Sequence, residues 1–189
     1  MSQPVWSPAH ELVDDAARAI AAAPAHDPVS RFEQLAWTAL LAGAGPHLLT
    51  RHHQPMHLTA SAAVLDPAGT LTCLVLHHKL GVWVQPGGHL EAGDRSMTAA
   101  AAREAQEETG LTGSVLAVPV QLSRHVAPCN PGLVDWHLDV QFLLLAEPGE
   151  PVPSDETPAV RWWPVDALPR EIAPGVDELI RSAQRLLAR

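Results

Sequence analysis

The chain has 189 residues, enough for one domain with an ordinary core and a smaller extension. Its formal net charge of −9 opposes binding to nucleic-acid backbones, which rests on lysine and arginine neutralising phosphates. Hydrophobic residues at 47% and charged residues at 17% fit a soluble globular protein, and no apolar run approaches the roughly 20 residues needed to cross a bilayer.

The N-terminal stretch "MSQPVWSPAHELVDDAARAI" lacks a basic segment ahead of an apolar one, so neither a signal peptide nor an anchor is expected and the cytoplasm is the expected compartment. Ser7-Pro8 and Asp27-Pro28 each put a capping side chain before a proline at the first helical position. They predict helices over "AHELVDDAARAIAAA" and "VSRFEQLAWTALLAG". The breaker cluster Gly43-Ala44-Gly45-Pro46 ends the second helix, and the linker "HLLTRHHQP" closes an N-terminal helical extension over residues 1–55. The main domain is expected over 56–189. It begins with a hairpin of two strands, "MHLTASAAVLD" and "TLTCLVLHH", around the turn Asp66-Pro67-Ala68-Gly69.

A short strand "VWVQ" leads into the glycine-rich loop "PGGHLEAGD", followed by the helix "MTAAAAREAQEET" with Gly110 as its left-handed stop. Two longer strands, "GSVLAVPVQLSRH" and "DWHLDVQFLLLAE", are separated by the loop "VAPCNPGLV". The loop "PGEPVPSDETP" and the short strand "AVRWWP" precede a final helix, "VDELIRSAQRLLAR". On that helix Val176, Leu179, Ile180, Ala183, Leu186 and Leu187 form one stripe for packing on the sheet. This order implies an α/β arrangement with helices covering a sheet. Trp162 and Trp163 point to opposite faces of their strand and are both expected to pack in the core.

On the helix before Gly110, residues three and four apart share a face, so Glu104, Glu107 and Glu108 project within an arc of about 100 degrees. As an isolated feature such a cluster equally serves to solvate an exposed helix face. Next to a glycine loop, where backbone amides and carbonyls can approach a metal or a phosphate, it suits a hard divalent cation with oxygen ligands. Arg103 offers a guanidinium to orient a neighbouring carboxylate or touch phosphate oxygens.

The stretch from Gly88 to Leu111 resembles the Nudix box, G-x5-E-x7-R-E-U-x-E-E-x-G-U with U apolar. Gly88 matches its first glycine, and Arg103, Glu104, Ala105, Glu107, Glu108, Gly110 and Leu111 match its second half. Two departures stand out: the first acidic position holds Asp94, and eight residues rather than seven separate it from Arg103. An extra residue in "DRSM" would keep the helix register, whereas one within the helix would rotate the preceding residues by about 100 degrees. Asp94 or Ser96 could also cap the helix.

The resemblance implies a Nudix-like α/β/α sandwich with a mixed β-sheet. It also implies hydrolysis of a diphosphate linkage in a nucleoside diphosphate bound to another moiety, or in a nucleoside triphosphate. By the same resemblance Gly87, through its carbonyl, with Glu107 and Glu108, would hold Mg2+ or Mn2+. Glu104 would be a further ligand or the base, and Arg103 its orienting partner. A small-molecule diphosphate is the expected partner, with no nucleic acid and no membrane; a homodimer is suggested by the family. A further acid or base is sought in Asp155 or Glu156, and substrate contacts in His89, His137 and Asp139, the last two sharing one face of a strand. His89 is also considered as part of a second, transition-metal site; of the eleven histidines in the chain, His77 and His78 also fall near the predicted site.

A non-catalytic nucleotide-sensing module on the same fold is the alternative. The five acids against Arg18 and Arg31 in residues 1–50 weigh against a DNA-binding extension. A diphosphate isomerase would require a catalytic cysteine, for which only Cys73 and Cys129 are available. Neither belongs to a CxxC pair, which also argues against a disulfide framework or a thiolate zinc site.

Overall fold

A computed structural model describes residues 6–127, 135–154 and 157–189. In chain order its elements are α1 (His10–Ala22), α2 (Pro28–Ala44), a 3-10 turn (Gly45–Leu49), β1 (Met56–Leu65), β2 (Leu71–Leu76), β3 (Trp83–Val84), β4 (Gly87–His89) and α3 (Met97–Thr109). There follow β5 (Ser114–Val115), β6 (Gln121–Ala127), β7 (Asp135–Leu145), β8 (Val160–Pro164) and α4 (Val176–Leu187).

The sheet is built outward from β1. Along one edge β1 pairs in parallel with β7, from Met56–Trp136 to Leu65–Leu145. Along the other edge it meets two antiparallel partners in turn, β4 at Thr59–Ser61 and β2 at Val64–Leu65. β6 and β5 lie antiparallel on the far side of β7, and β3 and β8 on β2. The result is a mixed sheet of eight strands among the described residues.

Alternation along β1 and β7 divides the core. Leu58, Ala60, Ala62 and Val64 with Leu138, Val140, Phe142 and Leu144 face α1, α2 and α3, whereas Ala63, Leu65 and Leu143 face α4. An α/β/α sandwich follows. The α3 helix can lie close to the sheet because Ala100, Ala101 and Ala105 are fully buried there. The α1 and α2 helices share this core through Leu12, Ile20, Trp37 and Leu41. Gln34 joins the two helices by donating to the carbonyls of Ile20, Ala21 and Ala23 at 2.9–3.0 Å.

Local signals mostly act as the sequence suggests. Asp27 caps α2 by accepting from Val29 and Ser30, and Gly110 ends α3 with φ +70°. Trp162 packs against the α3-side cluster and Trp163 against the α4-side cluster. Four details differ. Ser7 does not cap α1, which starts at His10 after an uncapped Ala9, because Pro8 sits ahead of the first helical turn. The linker after α2 is structured, with Leu48 and Leu49 buried in a 3-10 turn. The glycine loop contributes a short strand, β4. Finally, "GSVLAVPVQLSRH" splits into β5 and β6. Pro119 has no amide for the ladder, and the amides of Leu116 and Val120 reach the Leu143 and Gln141 carbonyls across an outward bulge.

Overpacking tests the close α3 contact. Ala101→Leu should cost about 1–3 kcal/mol and lower Tm by several degrees, while Gln106→Leu on the exposed face should stay within about 0.5 kcal/mol of the parent; thermal denaturation of both variants checks this.

Candidate active site

Arg103 is the hub of the site. Its Nε and Nη2 donate to the two Asp94 carboxylate oxygens at 3.1 Å each, its Nη1 to Glu104 at 3.1 Å and Glu107 at 2.9 Å, and its Nη2 also to the His89 carbonyl at 2.8 Å. The fork geometry of guanidinium is what allows one cation to serve an acidic loop, the helix that carries it and a strand at once. The Asp94 side chain is only 5% exposed, and its second role is to accept from the Glu91 amide at 2.8 Å, closing the loop on itself. Asp94 therefore reaches Arg103 although it is shorter by a methylene than glutamate. Ser96, not Asp94, caps α3 by accepting from Ala99 at 3.0 Å.

The two glycines before the loop let the helix carboxylates touch backbone. A Cβ on Gly87 would overlap the Ser61 side chain, and one on Gly88 would lie 2.8–3.0 Å from the Glu104 carboxylate. Glu104 thus rests directly over Gly88, and Glu108 accepts from the Gly87 amide at 3.0 Å. Glu107 projects outward at 56% exposure, held only at its tip by Arg103. Burial is the main cause that pushes the Glu104 carboxyl up to about 7; Arg103 pulls it down, and Glu107 and Glu91 push it further up. A hard dication fits this donor set, since all the side-chain ligands are oxygens on one helix face beside an open glycine backbone.

The other expected contacts lie across β4. Successive strand residues point to opposite faces, so Gly88 faces Glu104 while His89 faces the far side of the sheet. There His57, Thr59 and Ser61 of β1 and His137, Asp139 and Gln141 of β7 form a polar half-face. Asp139 is buried and accepts from Ser61 at 2.7 Å, Gln141 at 2.9 Å, Thr59 at 3.1 Å and Gln85 at 3.5 Å. His137 and Asp139 share this face as expected, but it is His57 that joins His89 and His137, with ring centroids 5.0–5.1 Å apart. The sequence signal for His57 is its place in the alternating polar set His57, Thr59 and Ser61; the parallel register that sets it beside His137 is not local. His77 instead accepts from the Lys79 and Leu80 amides in the turn after β2. Asp155, Glu156 and Cys129 lie outside the described residues. Cys73 is buried and its thiol is pushed up to about 12 by desolvation, which leaves it unsuited to act as a nucleophile.

A mixed sheet lies between helices, with a glycine loop and an acidic helix meeting beside β1, which defines an α/β/α domain. The model of the NUDIX domain matches residues 55–183, and the chain belongs to that family. Solved structures agree on the fold. The NUDIX domain of Shewanella oneidensis NrtR, complexed with ADP ribose, is 19% identical with a TM-score of 0.57, covering 79% of this chain and 97% of its own. A MutT NUDIX hydrolase from Burkholderia pseudomallei is 20% identical with a TM-score of 0.55, covering 67% and 97%. A C. elegans Ap4A hydrolase, solved as a binary complex, is 19% identical with a TM-score of 0.53, covering 69% and 97%.

The raised Glu104 carboxyl has a consequence for stability. The folded protein holds this proton above the unfolded value of 4.5, so the group favours folding less and less as pH rises from about 4.5 through 7. In the presence of chelator, the Tm difference between Glu104→Gln and the parent should therefore grow in favour of the variant from pH 5 to pH 8. The lowered carboxyls of Asp66, Asp177 and Glu178 act only in more acidic solution, outside that window.

Proposed function

We propose that this protein is a divalent-cation-dependent pyrophosphohydrolase acting on a nucleoside diphosphate linked to a second moiety, or on a nucleoside triphosphate. The observation that carries this reading is the chain of contacts from Asp94 through Arg103 to Glu104, with Glu104 laid over Gly88. Such a chain fixes one carboxylate at the mouth of a backbone cradle, which a merely solvated helix face does not require.

In this reading Glu107, Glu108 and the Gly87 carbonyl hold Mg2+ or Mn2+, with Glu104 beside them. When bound, the cation neutralises charge on the diphosphate oxygens and makes the attacking water more acidic. Glu104, laid over Gly88 and held by Arg103, takes a proton from that water. The water oxygen bonds to one phosphorus, the bond from that phosphorus to the bridging oxygen breaks, and the bridging oxygen leaves with the second phosphate. Arg103 fixes the orientation of Glu104, and Asp94 fixes Arg103. Of the substrate contacts expected from the sequence, Glu156 is kept in this proposal, whereas His89, His137 and Asp139 lie across β4 from Glu104; residues 1–55 are proposed as an extension to the domain over 56–189.

A nucleotide-sensing module without turnover is the second reading; a structurally similar NUDIX domain solved in complex with ADP ribose supports nucleotide binding by this fold, which both readings share. Phosphate release from a panel of nucleoside triphosphates, dinucleoside polyphosphates, ADP-ribose, nucleotide sugars and NADH separates the two. Turnover that requires Mg2+ or Mn2+ should fall by about two orders of magnitude or more in Glu107→Gln, and by about 10–100-fold in Asp94→Asn, whose loss acts through Arg103. Tight nucleotide binding with no turnover of any compound would establish the sensing module instead.

A further inference from the structure

We propose that His57, His89 and His137 bind one transition-metal dication of the zinc type, at a site separate from the glutamate cluster. The three side chains come from three adjoining strands. Their ligand atoms lie within 4.8 Å of one another, and this is the one such group of three among the described residues. Strand register brings them together: His57 is the parallel partner of His137, and His89 is the antiparallel partner of Thr59 two residues along β1. Around a tetrahedral metal with bonds of about 2.0–2.1 Å, ligand nitrogens stand about 3.4 Å apart. Closure of up to about 1.4 Å by side-chain rotation completes the geometry.

The surroundings suit imidazole ligation. The His57 Nδ1 lies 3.2 Å from the His53 carbonyl; donation there leaves the lone pair on Nε2, the arrangement by which backbone orients metal-bound histidines. The buried Asp135 adds negative charge beside His57. The Asp139 carboxylate, close by on the same face, is occupied by Thr59, Ser61, Gln85 and Gln141, so the donor set is three neutral nitrogens. Such a set selects zinc, cobalt, nickel or copper over magnesium, the reverse of the all-oxygen glutamate site. His125, with its ring 5.2 Å from that of His137, stands beside the trio but outside it. A bound ion would tie β4 to β1 and β7 on the face opposite Glu104. Because the His89 carbonyl receives Arg103, it would also brace the backbone under the glutamates.

The test uses full-length protein without a histidine tag, stripped with chelator and titrated with zinc against a chromophoric competitor, then loaded with cobalt. The expected result is one equivalent of zinc, an intense visible cobalt spectrum of tetrahedral type, and zinc affinity weakened about 100-fold or more in His57→Asn, His89→Asn or His137→Asn. Glu107→Gln should retain the zinc, which keeps this site distinguishable from the hydrolase reading. Zinc binding unchanged in the histidine variants, or lost in Glu107→Gln, overturns the proposal. So does a wild-type protein that binds no zinc, or one that takes cobalt with the weak spectrum of an octahedral oxygen site. Circular dichroism monitors folding of the variants, and the wild-type cobalt spectrum decides the matter even where a variant fails to fold.

Discussion

A single guanidinium, that of Arg103, is the constraint on which this site depends. Asp94, Glu104 and Glu107 place three carboxylates around it, with the His89 carbonyl as a further acceptor. Withdrawing such groups from water is costly, and the attraction repays the cost only when the geometry satisfies each of them. Here it does so because the two oxygens of Asp94 meet two nitrogens of Arg103, and the remaining donors point along α3 and toward β4. Helix, loop and strand are thus registered to one another by charge, while the alanine face of α3 sets their separation.

The same strand that completes this arrangement carries a different chemistry on its reverse. Gly88 is bare so that a carboxylate can approach from one side; its neighbour His89 meets imidazoles on the other. Oxygen-rich and nitrogen-rich donor sets are therefore separated by one layer of backbone. Helix α4 covers the apolar half of that reverse face through Leu179, Ile180 and Ala183, and the polar half begins where Ala63 and Leu143 give way to Ser61 and Gln141.

Much of the local structure was legible because it depends on local rules. The helix over Met97–Thr109, its left-handed stop at Gly110 and the pairing of Arg103 with Glu104 all follow from neighbours within a few turns of chain. What escaped was long-range or subtle. Nothing local announces that β1 lies parallel to β7, so the place of His57 beside His137 could not be read from either segment. The proline that divides β5 from β6 was visible, but which β7 carbonyls it would bypass was not. Asp94 lay between: its departure from the family pattern was plain, yet only the closed turn of Glu91 to Asp94 explains how a shorter acid in a longer loop still reaches Arg103.

The parallel ladder between β1 and β7 also joins distant parts of the chain. Thr59 and Asp139, joined by a hydrogen bond, are 80 residues apart in the chain. The glycine loop and acidic helix, by contrast, are contiguous in the chain. As a chain leaves the ribosome, β1 and β4 are made before β7, so His57 and His89 are present before His137. Until β7 emerges, one long edge of β1 stands without its partner, and closing so large a loop is slow. His89 thus meets its full set of imidazole neighbours only once the last of the three strands is made.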